Sequence, residues 1–429
     1  MILVSILAIM VVSCLLAILV YNVPSVHDRL EWRLVSLRAQ VWYALFPPQN
    51  FVFTPNPTLA AMVQSTLAAI TPTLSPTATL GPTATPTTTP TPTIEPTPLP
   101  SSVELTGIRH EYEHWNNCGP ATLAMALSYW GWQGNQDDTA PVLKPSPRDK
   151  NVMPYEMEAF VEEHTGLRAV VRVGGDLDTL RRFIAAGYPV IIEKGFDVMG
   201  SGKGWMGHYQ LLAGYDDANQ RFNAYDSYEG DFSEGRTLLV PYSRLETYWR
   251  HFNHVYIVIY PPDHESEVMA LLGPQADETA NYQHAAQRAS DDIVTMTGRD
   301  LYFAWFNRGT NLVYLQDYQG AAAAYGNAFQ ILPTLSDDFF WPWRTLWYQT
   351  GPYWAYYYTA NYYEVISLAN DTLSPMSEPV LEESYYWRAL AEEALGDTSR
   401  AIDDLRSCLL YHEGFAPCTA ALEQMGVSP

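Results

Sequence analysis

The chain has 429 residues, enough for two or three domains, and 47% of them are hydrophobic, which allows sizeable cores. Lys and Arg number 24 against 47 Asp and Glu, and the net charge of -23 would repel nucleic-acid phosphates. We therefore expect no nucleic-acid partner. Four cysteines are too few for a disulfide-stapled scaffold.

Residues 1–22 are predicted to be a transmembrane anchor. Met1 to Tyr21 carries no charged side chain and matches the roughly 20 apolar residues that span a bilayer as a helix. A cleaved signal peptide would need a basic start and a clear cleavage site, and neither is evident. Lipidation at Cys14 is a weaker alternative, because the apolar run continues past it.

A juxtamembrane segment, residues 23–53, and a linker rich in Thr and Pro, residues 54–100, follow the anchor. The linker composition cannot bury a core and should stay extended. Such a spacer suits domains held away from a membrane, so we expect the soluble domains to be extracytoplasmic. Arg29, Arg33 and Arg38 follow the span and favour the opposite orientation by the positive-inside rule, which leaves sidedness open.

Residues 101–262 are predicted to form one α+β domain in which helices come early and strands come late. The predicted helices are Cys118–Tyr129, Pro154–His164 and Asp176–Ala186. Alternating or β-branched runs predict strands at Ala169–Val173, Pro189–Glu193, His208–Tyr215, Arg221–Tyr225 and Val255–Tyr260.

Residues 263–429 are predicted to be all-α and repetitive. One unit starting at Tyr302 has the spacing of a tetratricopeptide repeat, carried by Trp305, Gly309, Ala321, Tyr325, Ala328 and Pro333. Small residues at such positions let paired helices approach, and large ones fill the gaps. A further unit around Tyr385 and Ala401 fits the frame, and one near Val365 is more degenerate. We expect the repeats to recruit a protein partner.

The sequence WNNCGPATLAMALSYWG, residues 115–131, puts Cys118 at the start of an apolar helix. There the helix dipole and unpaired backbone N–H groups favour the thiolate, which is the nucleophilic form. Most isolated cysteines are small core residues. Two Asn residues before Cys118 and the Gly119-Pro120 turn after it weaken that interpretation, so Cys118 is the candidate nucleophile.

A nucleophilic Cys needs a base, and the base needs an orienting group. The segment GHYQLLAGYDDANQRFNAYD, residues 207–226, offers both. His208 opens an apolar strand, a turn is predicted near residues 216–220, and Asp226 closes the returning strand. Hairpin pairing can then bring His208 and Asp226 to one edge.

The CGPA sequence with its apolar helix, followed by GHYQLLAGYDD and NAYDS, resembles the bacteriocin-processing family of papain-like cysteine peptidases, family thirty-nine of that class. The resemblance covers about residues 107–260 and is closest to the thirty-nine-like branch. It implies a papain-like fold and hydrolysis of a peptide or protein substrate. It also implies Cys118 as nucleophile, His208 as general base and Asp226 as the orienter of the imidazole. We expect no cofactor and no metal.

One departure from the family concerns the oxyanion donor. Members carry a Gln five or six residues before the Cys, and here Glu113 and Tyr112 hold those positions. A carboxylate repels an oxyanion unless it is protonated, whereas a phenol can donate. Losing one such donor costs about 10²- to 10³-fold in rate. The alternative function is therefore a weak or inactive papain-like binding module scaffolded on the repeats, and an amidase or transpeptidase is a variant of the enzyme hypothesis.

His110 to His114 reads HEYEH and fits the H-E-x-x-H zinc-protease motif. That motif requires a helix, and the predicted helix begins only at Cys118, so a zinc site is not favoured. A disulfide between Cys408 and Cys418 is plausible outside a reducing cytoplasm. The substrate, the cleavage site and the oligomeric state are left open.

Overall fold

The computed structural model describes residues 98–146, 148–197, 204–229, 237–335, 342, 344–376 and 378–429. The predicted anchor, the juxtamembrane segment and nearly all of the Thr/Pro-rich linker lie outside these ranges. Within them, no helix combines the length and the hydropathy required to cross a bilayer.

One antiparallel sheet of seven strands organises the first part of the described chain. The strands are β1 (Ser102–Glu104), β2 (Arg168–Arg172), β3 (Val190–Asp197), β4 (Trp205–Asp216), β5 (Arg221–Tyr225), β6 (Leu238–Pro241) and β7 (Tyr256–Tyr260). Their order is β2-β7-β3-β4-β5-β6, and β1 also pairs with β4. All five predicted strands are confirmed, with β3 and β4 longer than predicted, and the predicted hairpin is the β4–β5 pair.

Helices cover both faces of this sheet. They are α1 (Cys118–Tyr129), α2 (Gln136–Leu143), α3 (Pro154–His164), α4 (Leu177–Ala185), α5 (Tyr242–Trp249) and α6 (Glu265–Leu272). The first three bury apolar residues against one face, and the last three bury theirs against the other. Every residue of α1 from Gly119 to Leu127 is buried, which explains why its sequence is apolar all round.

The three predicted helices are confirmed, and their ends have clear physical causes. Pro154 starts α3, where its missing N–H is not needed. The Asp176 side chain accepts a hydrogen bond of 2.7 Å from the Thr179 N–H and caps α4. The sequence analysis missed α2, which begins with polar residues and contains Pro141.

The remaining described chain is helical. Its helices are α7 (Glu278–Thr295), α8 (Gly298–Tyr314), α9 (Tyr318–Ile331), α10 (Gly351–Tyr358), α11 (Tyr362–Leu373), α12 (Glu382–Ala394), α13 (Thr398–Tyr411) and α14 (Ala416–Gln424). A Cβ on Gly309 of α8 would lie 2.8 Å from the Tyr325 ring of α9, so the glycine permits the close approach of this pair. The all-α architecture is confirmed, and its assignment to tetratricopeptide repeats stays a prediction. Cys408 and Cys418 form a disulfide between α13 and α14.

The helical region shares an aromatic core with the end of the sheet where β4 begins. The Trp205 ring stacks on Phe252 at a centroid distance of 5.7 Å and packs against Phe303 of α8 at 5.3 Å. The side chains of Asn253 and Asn311 exchange buried hydrogen bonds of 2.7 and 3.0 Å across the same boundary. The helical region therefore packs directly beside the strand that carries His208.

Candidate active site

Cys118 is the first residue of α1 and is half-buried, with no disulfide partner. No side chain caps this helix, so the backbone N–H groups of its first turn are available at the sulfur end. An N-terminal position of this kind stabilises negative charge. The structure thus gives Cys118 the setting that the sequence predicted.

The β4–β5 hairpin brings His208 and Asp226 together. The distance between His208 Nε2 and Asp226 Oδ1 is 2.9 Å. A ring nitrogen of His208 also lies within 4.8 Å of the Cys118 sulfur, close enough for the two groups to interact. The side chains of Cys118, His208 and Asp226 are therefore connected in one line, as the sequence analysis predicted for a nucleophile, a base and an orienter.

The charges in this line favour a protonated imidazole. Burial opposes the cationic form of His208, but the Asp226 carboxylate and, to a lesser extent, the nearby Cys118 outweigh it and raise the pKa of His208 to about 10. Burial alone would raise the pKa of Asp226, yet the His208 charge and several hydrogen bonds hold it well below its usual range. An imidazolium beside the sulfur is the arrangement that activates cysteine nucleophiles.

Asp226 is completely buried and accepts hydrogen bonds on both oxygens. Oδ1 accepts from the backbone N–H groups of Tyr228 at 2.9 Å and Glu229 at 2.8 Å, besides His208. Oδ2 accepts from Gln210 Nε2 at 2.7 Å. The sequence analysis missed Gln210, although its position two residues after His208 puts both side chains on the same face of β4.

The two oxyanion candidates have different locations. A carboxylate oxygen of Glu113 lies within 4.8 Å of both the Cys118 sulfur and a ring nitrogen of His208. Burial raises the pKa of Glu113, while His208 and a 2.7 Å hydrogen bond from the Ser227 hydroxyl oppose that rise. Tyr112 is 53% exposed and packs edge-on against the His110 ring. Glu113 is thus the candidate that the structure brings to the sulfur.

A buried lysine supports the loop that leads into α1. Lys144 Nζ donates to the Asn116 carbonyl oxygen at 2.6 Å and to Asn117 Oδ1 at 3.2 Å. Asn116 has a φ of 59°, a left-handed conformation that Asn tolerates better than most residues. The Asn116 side-chain amide in turn donates to the Asp149 carbonyl oxygen. Sequence reasoning missed Lys144, because it lies 26 residues beyond Cys118 at the C-terminal end of α2.

The helical region also contributes a residue to this neighbourhood. The Tyr348 ring packs against Gly207, next to His208, and is close enough to Cys118 to interact electrostatically. A Cβ on Gly207 would lie 2.9 Å from the Tyr348 ring, so only glycine allows this contact. Nothing in the sequence pairs residues 207 and 348, and this missed contact joins the two parts of the chain at the candidate site.

The zinc-protease motif requires HEYEH to lie on a helix, and residues 105–114 are not helical. His110 Nε2 contacts the Asp226 carbonyl oxygen at 2.8 Å, whereas His114 Nδ1 contacts Asp137 Oδ1 at 3.2 Å. The two histidines thus serve different partners, and the motif does not form a zinc-protease site.

Comparison with known proteins finds a family match for part of the chain. Residues 105–257 match the family model described as the Peptidase_C39 like family. A C39-like peptidase from Bacillus anthracis is 17% identical over 37% of this chain and 96% of its own, with a TM-score of 0.31. Xylellain, a cysteine protease from Xylella fastidiosa, is 15% identical over 38% of this chain and 87% of its own, with a TM-score of 0.31.

A third solved structure is a double glycine motif protease from an AMS/PCAT transporter, in complex with the leader peptide. It is 16% identical over 37% of this chain and 94% of its own, with a TM-score of 0.28. No curated protein matches the chain. The family match, which covers the segment that holds Cys118, His208 and Asp226, supports a papain-like cysteine peptidase.

Proposed function

We propose that the chain hydrolyses peptide bonds through Cys118, His208 and Asp226. The observation that carries this proposal is the 2.9 Å contact between His208 and Asp226 together with a His208 ring nitrogen within 4.8 Å of the Cys118 sulfur. The family match to residues 105–257 supports the same chemistry.

In the proposed reaction the Cys118 thiolate attacks the substrate carbonyl, and His208 gives its proton to the leaving amine. Water then attacks the acyl-enzyme, with His208 as the general base that takes the proton. Asp226 keeps the imidazole in one tautomer and stabilises its positive form. The Cys118 backbone N–H, at the start of α1, is one donor to the oxyanion.

Glu113 is proposed as the second oxyanion donor, in its protonated form. Its pKa is raised by burial, which favours a neutral carboxyl at the sulfur. A neutral carboxyl can donate its O–H as the usual glutamine amide does. When Glu113 ionises, the donor becomes a repelling charge, so activity should fall as the pH rises through the raised pKa of Glu113.

The second candidate function is a binding module that no longer catalyses. The position of Glu113 beside the sulfur favours this alternative, because an ionised carboxylate there disfavours an oxyanion. A binding module would bind its partner without forming an acyl-enzyme. The two candidates differ in one measurable property, the activation of the Cys118 thiol.

We also propose that residues 1–22 anchor the chain in a membrane, that the soluble part is extracytoplasmic and that the helical region recruits a protein partner. The Cys408–Cys418 disulfide supports an oxidising compartment. A reporter that is active only in the periplasm, fused to the C-terminus, tests the sidedness. An inactive reporter would contradict the extracytoplasmic location of the soluble part.

The test is alkylation of Cys118 with iodoacetamide across pH 4 to 9 in the full chain, followed by mass spectrometry of the labelled peptide. Rapid labelling well below the free-thiol pKa of about 8.5 is expected, and His208→Ala should abolish it. His284→Ala is the matched control, because His284 is an exposed histidine on α7. Labelling that rises only near pH 8.5, at the same rate in wild type and in His208→Ala, would contradict peptide hydrolysis and support the binding module.

A further inference from the structure

A second cluster of ionisable side chains lies between the peptidase part and the helical region. It consists of Asp149 in the loop between α2 and α3, Glu382 at the start of α12 and His412 just after α13. One potential ligand atom from each lies within 4.8 Å of the other two. Asp149 and Glu382 are each only 3% exposed, so this is a buried cluster and not a solvated acidic surface.

One oxygen of this cluster has no partner. Glu382 Oε1 lies 2.7 Å from His412 Nδ1. Glu382 Oε2 is buried and has no hydrogen-bond partner among the described residues. A buried acceptor left unsatisfied is destabilising, and more so when it is charged. The bare oxygen therefore marks a position where a cationic ligand would be stabilising.

The surrounding charge points the same way. Glu156 and Glu383 also lie close enough to Glu382 to interact electrostatically with it. Two lysines are close enough to interact with Asp149, and both ammonium groups already donate to backbone oxygens, Lys144 to Asn116 and Lys150 to Arg148. Carboxyl groups thus outnumber the cations available to neutralise them.

We propose that Asp149, Glu382 and His412 bind a divalent first-row transition-metal ion, with Zn²⁺ as the representative. Imidazole and carboxylate ligands suit Zn²⁺ and its neighbours, and water completes the coordination. Ca²⁺ takes six to eight oxygen ligands, which this set does not supply. The proposal does not depend on the proposed function, because none of these three residues belongs to the proposed catalytic line.

The metal would tie the peptidase part to the helical region. Asp149 comes from a peptidase loop, whereas Glu382 and His412 come from α12 and the end of α13. The Asp149 carbonyl oxygen also accepts from the Asn116 side chain, two residues before Cys118. Metal binding would consequently fix the relation between the helical region and the loop that leads to the nucleophile. No sequence motif indicated this site, because its residues come from three distant segments.

The test measures Zn²⁺ binding to the full chain after chelator treatment, by equilibrium dialysis in a Cys118→Ala background. This background is needed because Glu113, Cys118 and His208 form another set of potential ligands within 4.8 Å. We expect one Zn²⁺ per chain and at least about tenfold weaker binding in Glu382→Gln and in His412→Gln. Glu413→Gln is the matched control, since it removes an exposed carboxylate next to His412 and should leave binding unchanged.

The thermal unfolding temperature gives a second readout, because a ligand that binds the native state raises it. Zn²⁺ should raise it in the Cys118→Ala parent and in Glu413→Gln, and Ca²⁺ at the same concentration should not. Absence of stoichiometric binding in the parent, or undiminished binding in folded Glu382→Gln and His412→Gln, would overturn the proposal. If both variants fail to fold, the Cys118→Ala parent alone tests the proposal. A parent whose unfolding temperature does not change on addition of Zn²⁺ also overturns the proposal.

Discussion

Replacing Asp226 with Asn isolates the charge of the orienting group from its shape. Asn Oδ1 can keep the hydrogen bonds from His208, Tyr228 and Glu229 that Asp226 Oδ1 accepts. The Asn NH₂ group would then meet Gln210. Gln210 Oε1 has no hydrogen-bond partner among the described residues, so a flip of its amide provides the required acceptor. The variant should therefore fold with its hydrogen bonds intact and lose only the negative charge.

The magnitude follows from the pKa of His208, which is raised from 6.5 to about 10. Asp226 contributes both charge and a hydrogen bond to that rise, and Asn retains the hydrogen bond. If the charge of Asp226 accounts for about 2 of the pKa units by which His208 is raised, its loss is worth ~2.7 kcal/mol. The equilibrium constant for protonating the imidazole then falls by a factor of about 100. The thiolate–imidazolium pair should weaken by that factor.

The assay is the pH profile of Cys118 alkylation. Wild type should label rapidly near pH 6, and Asp226→Asn about 100-fold more slowly at that pH, with its profile moved towards the free-thiol value of about 8.5. Asp216→Asn removes a carboxylate at the other end of β4 and serves as control. Coincident profiles for wild type and a folded Asp226→Asn would show that Asp226 does not sustain the charge on His208.

Three further changes test separate contacts. Glu113→Gln supplies a donor at every pH, so peptide hydrolysis should gain up to about 100-fold above the raised pKa of Glu113, and a pH–rate profile identical to wild type would contradict this role. Lys144→Met keeps the stem but removes the ammonium from the Asn116–Asn117 loop, which costs about 1.5–3 kcal/mol. Slower Cys118 alkylation and a lower unfolding temperature are expected, and unchanged values for both would refute the supporting role. Cys418→Ser opens a loop whose ends are 10 residues apart, so the free energy of unfolding should fall by ~3 kcal/mol in denaturant titrations. An unchanged midpoint after this substitution or after reduction would mean that the disulfide does not restrain the unfolded chain.

The sequence predicted those parts of the fold that local pattern determines. The uniformly apolar run after Cys118 became a buried helix, and the alternating runs around the turn at 216–220 became the β4–β5 hairpin. Hairpin geometry then brought His208 and Asp226 together, because the two strands are adjacent in sequence. The sequence analysis missed α2, because Pro141 and a polar first turn are not typical of a helix. In the structure Asn135 caps it.

Contacts between distant segments could not be predicted in this way. Tyr348 reaches the backbone beside His208 from the helical region, and Lys144 reaches the loop before Cys118 from the end of α2. Neither pairing follows from periodicity or spacing. The choice between Glu113 and Tyr112 was also decided by the backbone, which turns Glu113 towards the sulfur and leaves Tyr112 at the surface.

The aromatic core shared by Trp205, Phe252 and Phe303 has a consequence for how the chain can be divided. A fragment that ends at residue 262 would lose Phe303 and Tyr348 and expose the rings of Trp205 and Phe252 to water. Such an exposed aromatic patch promotes aggregation and removes the support of the first residues of β4. We therefore expect the peptidase part and the helices that pack on it to unfold together, so that a change in those helices affects the strand that carries His208.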